Sequence, residues 1–138
     1  MKFKGDIIIT DPCYIMKCDE DWDKCKYGSY MNGLRIKNYM SRDTIYGDWS
    51  CTTYNSDTNE ELGEFCADSG LVAVFLLDEV LKYNPDFDWY KERSWTTTLI
   101  KDFDGDIQFE VTTDDDGWQS LSVVGRGNIN FETHQTGL

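Results

Sequence analysis

Residues 106–113 read Asp-Ile-Gln-Phe-Glu-Val-Thr-Thr, and within them Ile107, Phe109 and Val111 alternate with Gln108, Glu110 and Thr112. A period of two is that of a strand with one face buried and the other in water. Turn-forming residues stand on both sides, Gly105 before the run and Asp116-Gly117 after it. They predict tight hairpins joining strands over Trp95–Asp102, Asp106–Thr113 and Trp118–Val124. Gly125-Arg126-Gly127 makes a further tight, mobile connection, after which Ile129 and Phe131 alternate with Asn130 and Glu132. The expectation is a four-stranded antiparallel meander, and with it a fold of the α+β class that is predominantly β.

Upstream, Ile7-Ile8-Ile9 is a continuous β-branched run stopped by Asp11-Pro12, the pattern of a strand buried on both faces. The segment from Trp22 to Asn38, with Gly28 and Asn32-Gly33, reads as a hairpin or an ordered loop, and residues 47–54 read as a Thr- and aromatic-rich strand. Leu71 to Leu77 is apolar throughout. Beyond it Leu76 pairs with Val80 and Leu77 with Leu81 at i,i+4, so the reading is a strand running into a short helix that ends before Asn84-Pro85. Asp86 to Arg93 adds a helical turn.

The 138 residues fit one domain, and seven Phe, eight Tyr and five Trp supply a core that a disordered chain lacks. No apolar run approaches the ~18 residues of a membrane span, and none opens the chain as a secretion signal would. A cytoplasmic protein is therefore expected. Five cysteines, Cys13, Cys18, Cys25, Cys51 and Cys66, are an odd number and read as reduced, semi-buried thiols. Their spacing lacks the C-x2-C step of a zinc knuckle, and His134 is the only histidine, so no metal site is expected.

The formal net charge is −13, which excludes direct binding to a phosphate backbone by bulk charge. The charge is unevenly placed. Residues 1–46 carry eight Lys/Arg and seven Asp/Glu, a net of +1, whereas residues 47–138 carry five and nineteen, a net of −14. Two carboxylate clusters fall in the meander. Asp102-Phe103-Asp104-Gly105-Asp106 resembles a calcium loop only superficially, because Gly105 precedes the third Asp and the twelfth position is Thr113, where a bidentate Glu is needed. Asp114-Asp115-Asp116-Gly117 reads as the next hairpin turn, with room for a loosely held divalent ion. Phosphate-binding loops, dinucleotide fingerprints and nucleophile elbows are absent from the sequence. No cofactor is expected.

Thr10-Asp11-Pro12-Cys13-Tyr14 brings a carboxylate, a thiol and a phenol to the end of a buried strand, where reactive groups reach clefts. A cysteine nucleophile needs a base or a positive field, and here the neighbouring Asp raises the thiol pKa. Asp11 reads better as a turn or cap residue. Trp22, Tyr27, Tyr30, Tyr39, Tyr46, Trp49 and Tyr54 form either an aromatic core or a stacking platform beside Arg35, Lys37 and Arg42.

The strings Asp6-Ile7-Ile8-Ile9-Thr10-Asp11-Pro12-Cys13-Tyr14-Ile15, Gly47-Asp48-Trp49 and Glu64-Phe65-Cys66-Ala67-Asp68-Ser69-Gly70 resemble small proteins of phages and gut bacteria. Those proteins open with a strand into D-P-C-Y, then show a G-D-W-like step and a D-S-G step before an apolar strand. The resemblance covers about the first 80 residues, returns weakly in the C-terminal hairpins, and brings no established activity. It implies a phage or prophage accessory gene, a class that often encodes inhibitors of host defence. It marks Asp11, Cys13, Tyr14, Asp48, Trp49, Asp68 and Ser69 as recurrent positions, which either share a pocket or hold turns of the fold.

Three functions follow as expectations. The first is a non-catalytic counter-defence inhibitor, similar in size and acidity to anti-CRISPR and DNA-mimicking anti-restriction proteins. It would bind the basic groove of a host nucleic-acid-handling defence protein through Asp102, Asp104, Asp106, Asp114, Asp115 and Asp116. The second is a sponge for a nucleotide immune signal, with Arg35, Arg42 and Arg126 as cations and Trp49 as a stacking face, in a pocket formed between the subunits of a homo-oligomer. The third is a small hydrolase using Asp11 and Cys13.

Overall fold

The β-branched run Ile7-Ile8-Ile9 lies in strand β1 (Lys2–Thr10) of the computed structural model, and all three side chains are fully buried. The structure describes the chain apart from residues 19, 22–29, 32–33, 36–38, 46, 93–94 and 136–138. A strand buried on both faces must be covered on both, and two separate apolar clusters do this. Ile7 and Ile9 face a cluster with Phe65, Val74, Phe103 and Phe131. Ile8 faces the other way, onto Phe75, Val80, Tyr83 and Phe87.

The second cluster sits under the α-helix α1 (Leu77–Tyr83). It follows strand β7 (Leu71–Leu76) directly, so the expected strand-to-helix step is present. Asn84 ends the helix, its backbone N–H bonded to the Val80 carbonyl, and a 3₁₀ segment over Pro85–Glu92 follows. Pro85 explains the stop, because proline has no N–H to continue the ladder.

The remaining strands are β2 (Tyr30–Met31), β3 (Leu34–Arg35), β4 (Met40–Asp43), β5 (Trp49–Asn55), β6 (Glu61–Ala67), β8 (Thr97–Thr113), β9 (Gln119–Gly127) and β10 (Phe131–Gln135). Eight of the strands form one sheet in the order β4-β7-β1-β8-β9-β10-β5-β6, with every neighbouring pair antiparallel. β2 and β3 pair separately, as a hairpin inside the segment from Trp22 to Asn38, the rest of which lies outside the described residues. The fold is α+β and predominantly β, as the sequence predicts. The sheet also curls: β6 packs over β8 and β1, and the Thr53 and Thr98 hydroxyls meet across the curl at 3.2 Å.

The meander differs from expectation in one respect. It has three strands, because Thr97–Thr113 runs as a single 17-residue strand through Gly105. Gly105 lies opposite Phe3 on one side and Gly127 on the other, where a Cβ would collide with the Arg126 carbonyl. The glycine is needed for close approach of two backbones, not for a turn. Gly125-Arg126-Gly127 likewise belongs to β9 rather than to a mobile connection: the Phe131 ring occupies the space a Gly125 side chain would take. What bends β8 is a bulge. Gly5 pairs with Phe103 and Ile7 with Ile100, so Asp6 opposes both Lys101 and Asp102, and Asp102 takes φ 52° with its N–H donating to Asp6 Oδ1 at 2.9 Å. Among the described residues, no helix is long and apolar enough to cross a membrane.

Candidate functional site

The end of β1 meets the β6–β7 turn. Asp11 caps the 3₁₀ turn Pro12–Tyr14, its Oδ1 accepting from the Cys13 backbone N–H at 2.8 Å. Its Oδ2 accepts from the Ser69 backbone N–H at 2.6 Å, and the Ser69 hydroxyl lies 2.7 Å from both carboxylate oxygens. Asp11 is fully buried. Beside it the Tyr14 hydroxyl donates to Asp68 Oδ2, and the Tyr14 ring stands edge-on to Trp89 at 5.9 Å. The turn also takes in the Gly47 region: Thr44 Oγ1 donates to the carbonyls of Gly47 and Gly70, and Gly47 packs against Gly70. The D-P-C-Y, D-S-G and G-D-W strings, far apart in sequence, therefore share one end of the sheet.

This cluster holds backbone in place and has no activated nucleophile. Burial, followed by the charge of Asp11, pushes the Cys13 thiol up to about 12, which leaves almost no thiolate at neutral pH. Tyr14 is likewise pushed up, first by burial and then by its bond to Asp68. The Asp11 carboxylate already accepts from two backbone N–H groups and a hydroxyl, which occupies it as a base. His134 is elsewhere, on β10, 3.3 Å from Glu132 and against the Tyr54 ring.

The cations and aromatics assigned to a pocket are dispersed. Arg42 is on β4 and Arg126 on β9, with β7, β1 and β8 between them in the sheet. Arg42 Nε donates to the Asp43 carbonyl, and Arg126 Nη1 to that of Gly125. Arg35 lies on β3, and its side chain is outside the description. Trp49 is half-buried, edge-on to Phe65 at 6.1 Å in the sheet interior, while Tyr39 stacks on Phe75 on the helix side. Asp48 is exposed. Trp22, Tyr27, Lys37 and Tyr46 are outside the described residues, and so is Cys25; the other four cysteines are unpaired.

The acidic residues divide into two kinds. Asp102, Asp104 and Asp106 are exposed on β8; Asp102 lies opposite Asp6 at the bulge, whereas cations stand opposite the other two across the sheet. Asp104 is registered with Lys4, and Asp106 with Lys2 on one side and Arg126 on the other. Opposite charges facing one another across a sheet offset part of one another's field. Among the described residues, no cation is registered opposite Asp114, Asp115 or Asp116. The β8–β9 strands continue past the body of the sheet, and every residue from Glu110 to Ser120 is exposed. Asp114 closes the loop, its Oδ1 accepting from the N–H groups of Asp116 and Trp118, both at 2.9 Å, and Gly117 takes the left-handed conformation at φ 86°. This is the three-residue hairpin loop with glycine at its bulge. Residues 108–120 hold four carboxylates and no Lys, Arg or His.

Sequence reasoning missed two residues on this ribbon. Trp118 is 63% exposed beside the acidic loop, and Val111 is 43% exposed although its alternation with Phe109 marks it as core. The core ends sooner than the alternation does. A tryptophan directly after an Asp-Gly turn was the available signal for the first; none exists for the second. Among the described residues no group of three or more His, Cys, Asp or Glu is placed to hold a metal ion. Comparison with protein-family models, curated proteins and solved structures finds no match to this chain.

Proposed function

We propose that this chain is a non-catalytic binding protein, a phage or prophage inhibitor of a host nucleic-acid-handling defence protein, and that the β8–β9 hairpin meets the basic surface of its target. One observation supports this above the others: four carboxylates without a cation ride on a ribbon that stands clear of the sheet from Glu110 to Ser120. A concentrated like-signed field on a protruding element steers association with a basic surface, and that steering weakens as salt shortens the Debye length. Trp118 supplies the second ingredient of a protein contact, a large amphipathic ring at the same tip. Asp104 and Asp106 contribute less, because Lys4 opposes the one and Lys2 and Arg126 the other.

The test is capture from a bacterial lysate by immobilised wild type and by the triple variant E110Q/D115N/D116N, washed at about 50 mM and then about 500 mM salt. The wild type is expected to retain a nucleic-acid-handling protein at low salt and to block its nucleic-acid binding in a subsequent assay. The variant is expected to do neither. Equal retention by both proteins, or a retained protein whose nucleic-acid binding is unaffected, would overturn the reading.

A further inference from the structure

Antiparallel strands direct the backbone groups of alternate residues to opposite neighbours. On β8 the Ile107 N–H and carbonyl both bond to Met1, on the β1 side. Phe109, Val111 and Thr113 therefore point the same way. β1, however, starts at Lys2 opposite Asp106, and among the described residues no strand lies beside β8 past Met1. The other edge of the ribbon is partly closed, because Thr133 Oγ1 on β10 accepts from the Val123 N–H at 2.9 Å.

From this geometry, and resting on the proposed function, we infer that the open edge of β8 at Phe109, Val111 and Thr113 binds an extended segment of the target as an added strand. An added strand takes the pleat of its neighbour. Its residues on one face lie beside Glu110 and approach the acidic loop, and those on the other lie beside Phe109 and Val111. The segment that fits carries Lys or Arg at every second position and apolar residues between them. A second copy of this chain is the wrong occupant, since its own edge would bring four further carboxylates against these four.

The probe is an end-blocked eight-residue peptide of alternating Lys and Val, with a block-ordered peptide of the same composition as control. Binding to the intact protein is followed by fluorescence anisotropy, and protection of single amides by hydrogen exchange. The alternating peptide is expected to protect the Phe109, Val111 and Thr113 amides and to bind at least tenfold tighter than the block peptide. Val111→Pro removes an outward N–H without touching the β9 ladder and is expected to weaken binding about tenfold. A second measurement leaves the protein unchanged. The peptide is N-methylated at every second amide, in two versions that cover both sets, and one version is expected to lose about tenfold in affinity. Absence of binding, equal binding of the block peptide, or insensitivity to both methylated versions overturns the added strand. If binding is nevertheless salt-dependent and lost in E110Q/D115N/D116N, the acidic docking surface stands without the strand. If the triple variant binds the alternating peptide as well as wild type does, the acidic reading itself fails.

Discussion

Substituting Asp11 by Ala removes one buried carboxylate and strands three donors. Cys13 N–H at 2.8 Å, Ser69 N–H at 2.6 Å and the Ser69 hydroxyl at 2.7 Å all end on it. Hydrogen bonds to a charged group are worth about 1.5–3 kcal/mol each, and removing the buried charge returns part of that as relieved desolvation. The two backbone donors dominate, because Ser69 is exposed enough for its hydroxyl to turn to water. The net expectation for Asp11→Ala is a loss of about 3 kcal/mol. With an m-value of about 2 kcal/mol per molar urea, the unfolding midpoint falls by about 1.5 M. Tryptophan fluorescence during a urea titration reads this directly. Asp11→Asn keeps the shape and one acceptor oxygen and should fall between the two. Ser69→Ala, which leaves its backbone N–H in place, should cost about 1 kcal/mol. A midpoint shift under about 0.3 M for Asp11→Ala would mean that water satisfies these donors in the native protein, and the knot would not hold the β6–β7 turn to the end of β1.

Three other outcomes follow from the same structure. Cys13, with its thiol pushed from 9.0 up to about 12, should react with iodoacetamide at pH 8 about a thousandfold more slowly in the native protein than in urea, as peptide mapping would show. Because Cys13, Tyr14, Cys51 and Tyr83 all have raised values, the native state keeps protons that the unfolded chain releases. Their stabilisation is full below about pH 9 and is lost as pH rises toward 12, so the thermal midpoint should be level to about pH 8.5 and then decline. Gly125→Ala should cost about 2–3 kcal/mol by driving a methyl into the Phe131 ring, and Phe131→Leu in the same chain should recover part of that loss in a double-mutant cycle read by urea unfolding.

What the sequence discloses is local, and what it withholds depends on partners far along the chain. Ile7-Ile8-Ile9 is legible because every residue is apolar and no polar face is left to expose. The passage from β7 into α1 is legible because continuous apolar residues give way to i,i+4 pairs and then to Asn84-Pro85. Gly105 misleads because Asp-Gly-Asp looks the same in a turn as in a strand crossing, and only Gly127, on another strand, distinguishes them. Asp11 is recognisable as a cap, but its second set of donors comes from Ser69, 58 residues on. The carboxylates of β8 show the same limit. Their number is plain in the sequence, yet Lys2 and Lys4 cancel part of their field from about a hundred residues away.

That cancellation changes how the acidity of this chain is to be understood. A net charge of −13 does not make the whole surface a phosphate mimic. Where β1, β8 and β9 lie side by side, Asp104 faces Lys4 and Asp106 faces Lys2 and Arg126. Where β8 and β9 leave the sheet, Glu110 and Asp114 to Asp116 stand in a stretch with no Lys, Arg or His, as Asp57, Glu60, Glu61 and Glu64 do at the β5–β6 hairpin. The β8–β9 ribbon is also where the backbone of β8 is open and Val111 emerges into water. An open edge with exposed apolar residues is a hazard for self-association, and like charge is one of the ways proteins contain it. Here the containing charge is concentrated rather than mixed, so it repels a second acidic edge and attracts a basic one. Under the proposed function, the charge that would oppose a second copy is also the charge that would select the target.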